Sequence, residues 1–494
     1  MFNRLKQIYQ NIKELSHSID KYKNDSIVQS LPTVALVNKA KKLIEKQNYE
    51  EAKQTLLSAL DISGQDALIY KYLGAIAENE KNFSQAKEYY EKAVELEKND
   101  KDSWLRLGMN SLYSEKLERA IEAFEQANKL SPNNTDIYTG WGMTYMRMKK
   151  YQLAKDKFNM AAKISKYNFT AILLSAVMEI RCGEYSIAED KLNFLTKVAP
   201  NESSNYEYAH LKLIQNKYEQ AITYANKAIE INKQMMPAYL ILGEAYSVQK
   251  DYENTQITFI KALKEDLDCA ILRFEWGKAY TRLLDFNNAQ KEFEESLNLD
   301  SNFTEAKIGL ALIKAHNNDF YLLDELKEKY THYAYIQEAL GLEYLHQTEY
   351  EKAIEMFKKA LQTDKNQTFN YYNLAQCYIS QNDKYKTREY FDKFLQAHPE
   401  SEFGLINYAK WLTSVSDYEE AQRKLEKALK INPANIETLN SLFFTQYTLV
   451  KNNVCEYNIK EALSLANKAI GMGRFDYTPQ KQELENLLKN IQGN

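Results

Sequence analysis

Helix breakers are scarce in this chain: 494 residues hold only 7 Pro and 14 Gly, so few places can interrupt a helix. The 4 Cys, Cys182, Cys269, Cys377 and Cys455, stand far apart with no C-x-x-C pair, which argues against a disulfide framework or a cysteine zinc site and suits a reducing compartment. The 6 His never fall at the i, i+4 spacing that sets two ligands on one helix face. No P-loop, nucleophile elbow or kinase signature occurs, and Gly140-Trp-Gly142 and Gly471-Met-Gly473 are isolated triplets. No catalytic residue, cofactor or metal is therefore expected. A strong charge of one sign is missing too. With 64 Lys and Arg against 68 Asp and Glu the net charge is −4, which removes the general attraction to phosphates and leaves no nucleic-acid partner expected. No stretch approaches the roughly 20 apolar residues of a membrane span. The opening MFNRLKQIYQNIKELSHSID lacks the uninterrupted apolar core of a signal peptide, so the expectation is a cytoplasmic protein without membrane insertion.

What is present is repetition. Apolar residues make up 44% and charged residues 27%, an ordinary balance for a folded protein, and the apolar ones recur in phase. Trp104, Leu107 and Gly108 fall in one helical run, Ala120, Phe124 and Ala127 in a second, and Pro132 closes the stretch. The same slots 34 residues on hold Tyr138, Trp141, Gly142, Ala154, Phe158 and Ala161. The small residue at position 20 is Ala52, Ala86, Ala120, Ala154, Ala188, Ala221, Thr255 and Ala289, degrades at Leu323, and resumes as Ala353, Thr387, Ala421 and Ala462. Position 8 is small as well, from Gly74, Gly108 and Gly142 to Gly243, Gly277 and Gly341, while position 24 is large: Tyr90, Phe124, Phe158, Phe259, Phe293 and Phe357. Glycine inside a helix costs about 1 kcal/mol against alanine, so its recurrence means that close approach of two backbones outweighs propensity. Thirteen copies can be placed, the ninth poorly.

This period and residue set resembles the tetratricopeptide repeat family. The resemblance implies an all-α fold: an α-solenoid, a right-handed superhelix of antiparallel helix pairs in which each pair buries its apolar face on its neighbours. Four segments are expected. Residues 1–34 form an N-terminal heptad helix and linker, 35–331 an array of repeats 1 to 9, 332–477 an array of repeats 10 to 13 with a loop insertion in the last, and 478–494 a C-terminal capping helix opened by Thr478 and Pro479. The degenerate ninth repeat either bends the solenoid or acts as a hinge. In the first segment Met1, Leu5, Ile8, Ile12, Leu15, Ile19 and Tyr22 make a heptad seam that needs a partner. That seam packs on its own chain or, as a coiled coil over residues 1–22, drives self-association.

The resemblance also implies protein partners, held on a concave face lined by positions 2, 5, 9, 12 and 13 of the first helices. Those positions include Leu105, Met109 and Leu112 in repeat 3, Met143, Met146 and Arg147 in repeat 4, Leu173, Val177, Ile180 and Arg181 in repeat 5, and Tyr206 and Leu213 in repeat 6. A second cluster includes Tyr372 and Ile379. Such a lining either suits a peptide or amphipathic helix or is satisfied by packing between adjacent first helices. The carboxylate-binding pattern of some members is not met, since Lys71 is followed by Ala75 where Asn is required. The expected function is a non-enzymatic protein-interaction scaffold or adaptor, or alternatively a regulatory or substrate-recruiting arm of an enzyme whose catalytic subunit is a separate chain.

Overall fold

The computed structural model describes residues 32–452, 456–471 and 477–492. The heptad segment 1–22, with its expected role in self-association, lies outside the described residues. Those described form α-helices from Pro32–Glu45 to Thr478–Gln492 and no strand. The helices run as thirteen pairs plus a final helix, so the α-solenoid read from the repeats is what the chain builds. It divides into two compact units, residues 1–231 and 232–494. The first contains repeats 1 to 6 and the second repeats 7 to 13.

Local chemistry sets each hairpin. Between the two helices of most pairs the chain turns in three residues, and the middle one is left-handed: φ is 60° at Lys81 and Glu115, 57° at Asn216 and 58° at Asn382. Asn adopts that region readily, whereas Lys and Glu hold a strain of order 1 kcal/mol there. The next residue often caps the second helix, as Asn48, Asn82, Asp285 and Asp417 do by accepting the backbone N–H three residues on. This satisfies a donor that the helix itself leaves free.

The small and large slots interlock. A Cβ on Gly108 would stand 2.6 Å from the Phe124 ring, one on Gly142 2.7 Å from Phe158, and one on Gly277 2.6 Å from Phe293. Position 6 of the following repeat can close the same ring from its other side: a Cβ on Gly140 would meet Phe124 at 2.6 Å, and one on Gly309 would meet Phe293 at 2.7 Å. These rings are fully buried, each contributing about 2–3 kcal/mol of apolar burial, and they bind each repeat to the next.

Two repeats depart from the rule. In repeat 9 the second helix, Tyr321–Tyr330, has 10 residues, and Leu323 at the small site is buried. In repeat 13 the added residues were expected in a loop, but they lengthen the helices instead: Ile436–Asn452 spans 17 residues and Glu456–Gly471 spans 16. No Gly or Pro interrupts residues 436–452, and Val450 is buried, so an extended first helix loses nothing by continuing. There the packing is reversed, with Phe443 at position 8 sharing a core cluster with Ala462 and Ala466 of the second helix. The helix Thr478–Gln492 lays Leu484, Leu487, Leu488 and Ile491 on that cluster, which shields the flank of the last repeat.

Candidate partner-binding face

In unit 1 the expected lining residues divide by position. Those at positions 5, 9 and 12 pack. Leu112 and Ile180 are buried. Leu105, Met109 and Met143 lie against the cluster around Phe124 and Trp141, and Met143, Met146 and Val177 lie against Phe158 and Met178. Leu173 packs on Leu192 and Tyr208. Tyr206 and Leu213 are half-buried; Tyr206 stacks on His210 with ring centroids 6.2 Å apart. Burial, aided by Glu207, pushes its phenol up from the ordinary tyrosine value. Contact between successive first helices thus occupies much of this apolar surface.

Position 13 behaves differently, because it ends the first helix and projects past the packed rows. Arg147 and Arg181 are exposed. The same slot in repeat 3 is Tyr113, 42% exposed, and in repeat 6 Ile214, 38% exposed. The row Tyr113, Arg147, Arg181, Ile214 therefore faces water. Sequence reasoning singled out the two arginines and missed the flanking pair, although all four share the spacing that locates the repeats.

Polar side chains join neighbouring repeats beside this row. Glu78 of repeat 2 accepts from Arg106 at 3.1 Å and from Asn110 at 2.5 Å, both in repeat 3. Burial pushes the Glu78 carboxyl up, against the pull of Arg106 and Asn110. Lys191 of repeat 5 likewise donates to Asn159 of repeat 4 at 2.7 Å. Lys71 is buried and paired with Asp100 at 2.7 Å, so its ammonium is not free to receive a partner's carboxylate.

In unit 2, Tyr372 and Ile379 have different surroundings. Ile379 packs on the cluster of Leu405, Leu412 and Leu425. Burial pushes the Tyr372 phenol up to about 12. Its ring stands 4.8 Å from Phe403, 5.2 Å from Phe369 and 5.8 Å from Phe394. Phe403 remains 46% exposed. Beneath these rings Thr368 and the buried His398 share a 2.7 Å hydrogen bond. Burial, with Lys250 nearby, lowers the His398 pKa to about 3, so the imidazole is neutral. Among the described residues no group of three His, Cys, Asp or Glu is placed to hold a metal ion, and no helix is long and apolar enough to cross a membrane.

Three family models, each described as Tetratricopeptide repeat, match the sequence: one over residues 67–100, a second over 101–134, 202–235 and 334–367, and a third over 370–401. No curated protein matches. Among solved structures, the APC/C hetero-tetramer Cut9-Hcn1 aligns over 94% of this chain and 97% of its own, with a TM-score of 0.53 and 12% identity. A tetratricopeptide repeat protein from Parabacteroides merdae aligns over 57% of this chain and 98% of its own, with a TM-score of 0.39 and 16% identity. Pseudomonas aeruginosa pilF aligns over 43% and 97%, with a TM-score of 0.37 and 20% identity. At 12% identity the likeness to Cut9-Hcn1 is one of fold.

Proposed function

Because the chain is a tetratricopeptide-repeat protein, we propose that it is a non-enzymatic cytoplasmic scaffold that holds a peptide or amphipathic helix along the first-helix face of repeats 3 to 6. The observation that carries this reading is the exposed position-13 row, in which Arg147 and Arg181 stand between Tyr113 and Ile214. Two guanidinium groups on successive helix ends suit carboxylates of the partner. The flanking Tyr113 and Ile214 give its apolar side chains something to cover, and aromatic and arginine side chains are the groups that most often dominate such contacts.

The half-buried Met143 and Val177 are poor places to test this face, since a charge there also disturbs the Phe158 core. The exposed arginines avoid that difficulty. The Arg147→Glu, Arg181→Glu double variant is expected to keep the wild-type helical circular dichroism and melting temperature, and to lose partners captured from native extract and identified by mass spectrometry. Unchanged capture would overturn the assignment. A catalytic chain among the captured proteins would make this protein the recruiting arm of an enzyme complex.

A further inference from the structure

The outward slots of the second helices break their own rule in one place. Position 19 is polar along the chain, from Glu51, Gln85 and Arg119 to Lys352, Lys386 and Glu420, and position 26 is polar too, from Lys92 and Gln126 to Lys359, Lys393 and Lys427. The second helices of repeats 4 and 5, Tyr151–Ile164 and Tyr185–Val198, instead carry Leu153 and Ile187 at position 19 and Met160 and Phe194 at position 26. Elsewhere only Leu322, half-buried in the short ninth repeat, is apolar in either slot. The four side chains are 40% to 49% exposed.

Residues seven apart share a helix face, and Lys191 on one of these helices donates to Asn159 on the other at 2.7 Å, so the two apolar pairs stand side by side. Phe169, 6.4 Å from Phe194, and the exposed Tyr167 beside it extend the patch. Its flank is charged: Asp156 and Asp190 are exposed at position 22, and Lys163 and Lys197 at position 29. Apolar patches with a polar rim mark contacts. The sequence of residues 1–22 holds a matching surface. Its seam of Leu5, Ile8, Ile12, Leu15 and Ile19 has Arg4 and Lys6 in the first half, Glu14 and Asp20 in the second, and Lys13 and Lys21 beside those acids.

We propose that residues 1–22 lie as an amphipathic helix on the outer face of repeats 4 and 5 of the same chain, seam against patch. Running parallel to the two second helices, the segment brings Arg4 and Lys6 toward Asp156 and Asp190, and Glu14 and Asp20 toward Lys163 and Lys197. In an antiparallel hairpin the second helix ends where the first begins, so residue 22 then stands at the edge of the stack at which Pro32 opens repeat 1. The connection 23–31 reaches up to about 30 Å when extended. Repeat 4 lies three steps from repeat 1, a comparable distance at roughly 10 Å between packed helices. The position-13 row belongs to the first helices, so this seat and the reading of that row stand or fall separately.

Oxidation of Met160 by hydrogen peroxide in the full chain, followed by mass spectrometry, reads whether the patch is covered. The Ile8→Asp, Ile12→Asp variant is expected to speed it at least about fivefold over wild type. In the reverse direction, Ile187→Gln with Phe194→Lys copies the residues that repeat 6 holds in those slots, Gln220 and Lys227, and so preserves the helix. It is expected to speed amide hydrogen exchange in residues 1–22 by about the same factor. Unchanged Met160 oxidation in the first variant, or unchanged exchange in the second, overturns the proposal. Protection of Met160 that disappears on dilution of the wild type gives the seat to a second copy and overturns docking within one chain.

Discussion

Arginine occupies position 13 of the first helix in repeats 4, 5 and 8, and the two units treat it in opposite ways. Arg147 and Arg181 in unit 1 are exposed, while Arg282 in unit 2 is only 8% exposed. The local sequence does not explain this, because the helices are alike in length and each arginine ends its own. The difference lies in what stands opposite. Arg282 has Glu244 from the preceding repeat, and Tyr335 and Asp364 from repeat 10 and the loop after it. The same holds for the aromatic at the start of the second helix, since Phe83 ends on a half-open Tyr113 while Phe286 continues into Phe369. In a repeat protein one slot can thus stand open to water in one place and act as a structural clasp in another, and the neighbours several repeats along decide which.

The contrast can be broken most forcefully at the arginines. Arg282→Ala is expected to cost about 1–3 kcal/mol, because it strands part of a buried charge pair whose Glu244 partner keeps some contact with water. Arg147→Ala or Arg181→Ala should cost less than about 0.5 kcal/mol. Urea unfolding of the full chain, followed by hydrogen exchange in each unit, measures both. Equal costs in the two units would remove the distinction.

A smaller effect sharpens it through pH. The folded pKa of His398, about 3, lies below its ordinary 6.5 because of burial and Lys250. The unfolded chain therefore takes up a proton that the folded one refuses. The His398 contribution to stability is complete above pH 6.5 and is lost as pH falls from there toward 3, at up to about 1.4 kcal/mol per pH unit. Lys250 acts in the same direction at higher pH: burial and Arg282 lower it from 10.5 to about 8, so stability also falls as pH drops from 10.5 to 8. Hydrogen exchange between pH 7 and 5 should weaken unit 2 in the wild type, with a shallower slope in His398→Gln. Equal slopes would show that His398 is not the group responsible.

Much of the fold was legible because its rule is periodic. Gly108 with Phe124 and Gly277 with Phe293 recur at fixed spacing, and the structure seats each ring against its glycine. The place of Arg147 and Arg181 at the end of their first helices was legible for the same reason. The burial of Arg282 was not, since its partners Tyr335 and Asp364 lie far along the chain and no local pattern ties them together. The packing of Met143 and Val177 was one of two readings the sequence left open, because it depends on how closely successive first helices approach. In the last repeat Phe443 appeared as a broken position 8; only the facing Ala462 and Ala466 show that the interlock had changed sides.

Arginine labelling tests the contrast most directly. Native protein is treated with phenylglyoxal, and each site is followed by mass spectrometry. Arg147 and Arg181 are expected to react at the rate of free arginine, with Arg282 slower by at least about tenfold, as its burial and pairing require. Arg282 reacting as fast as the other two would contradict an open face in unit 1 and a closed one in unit 2.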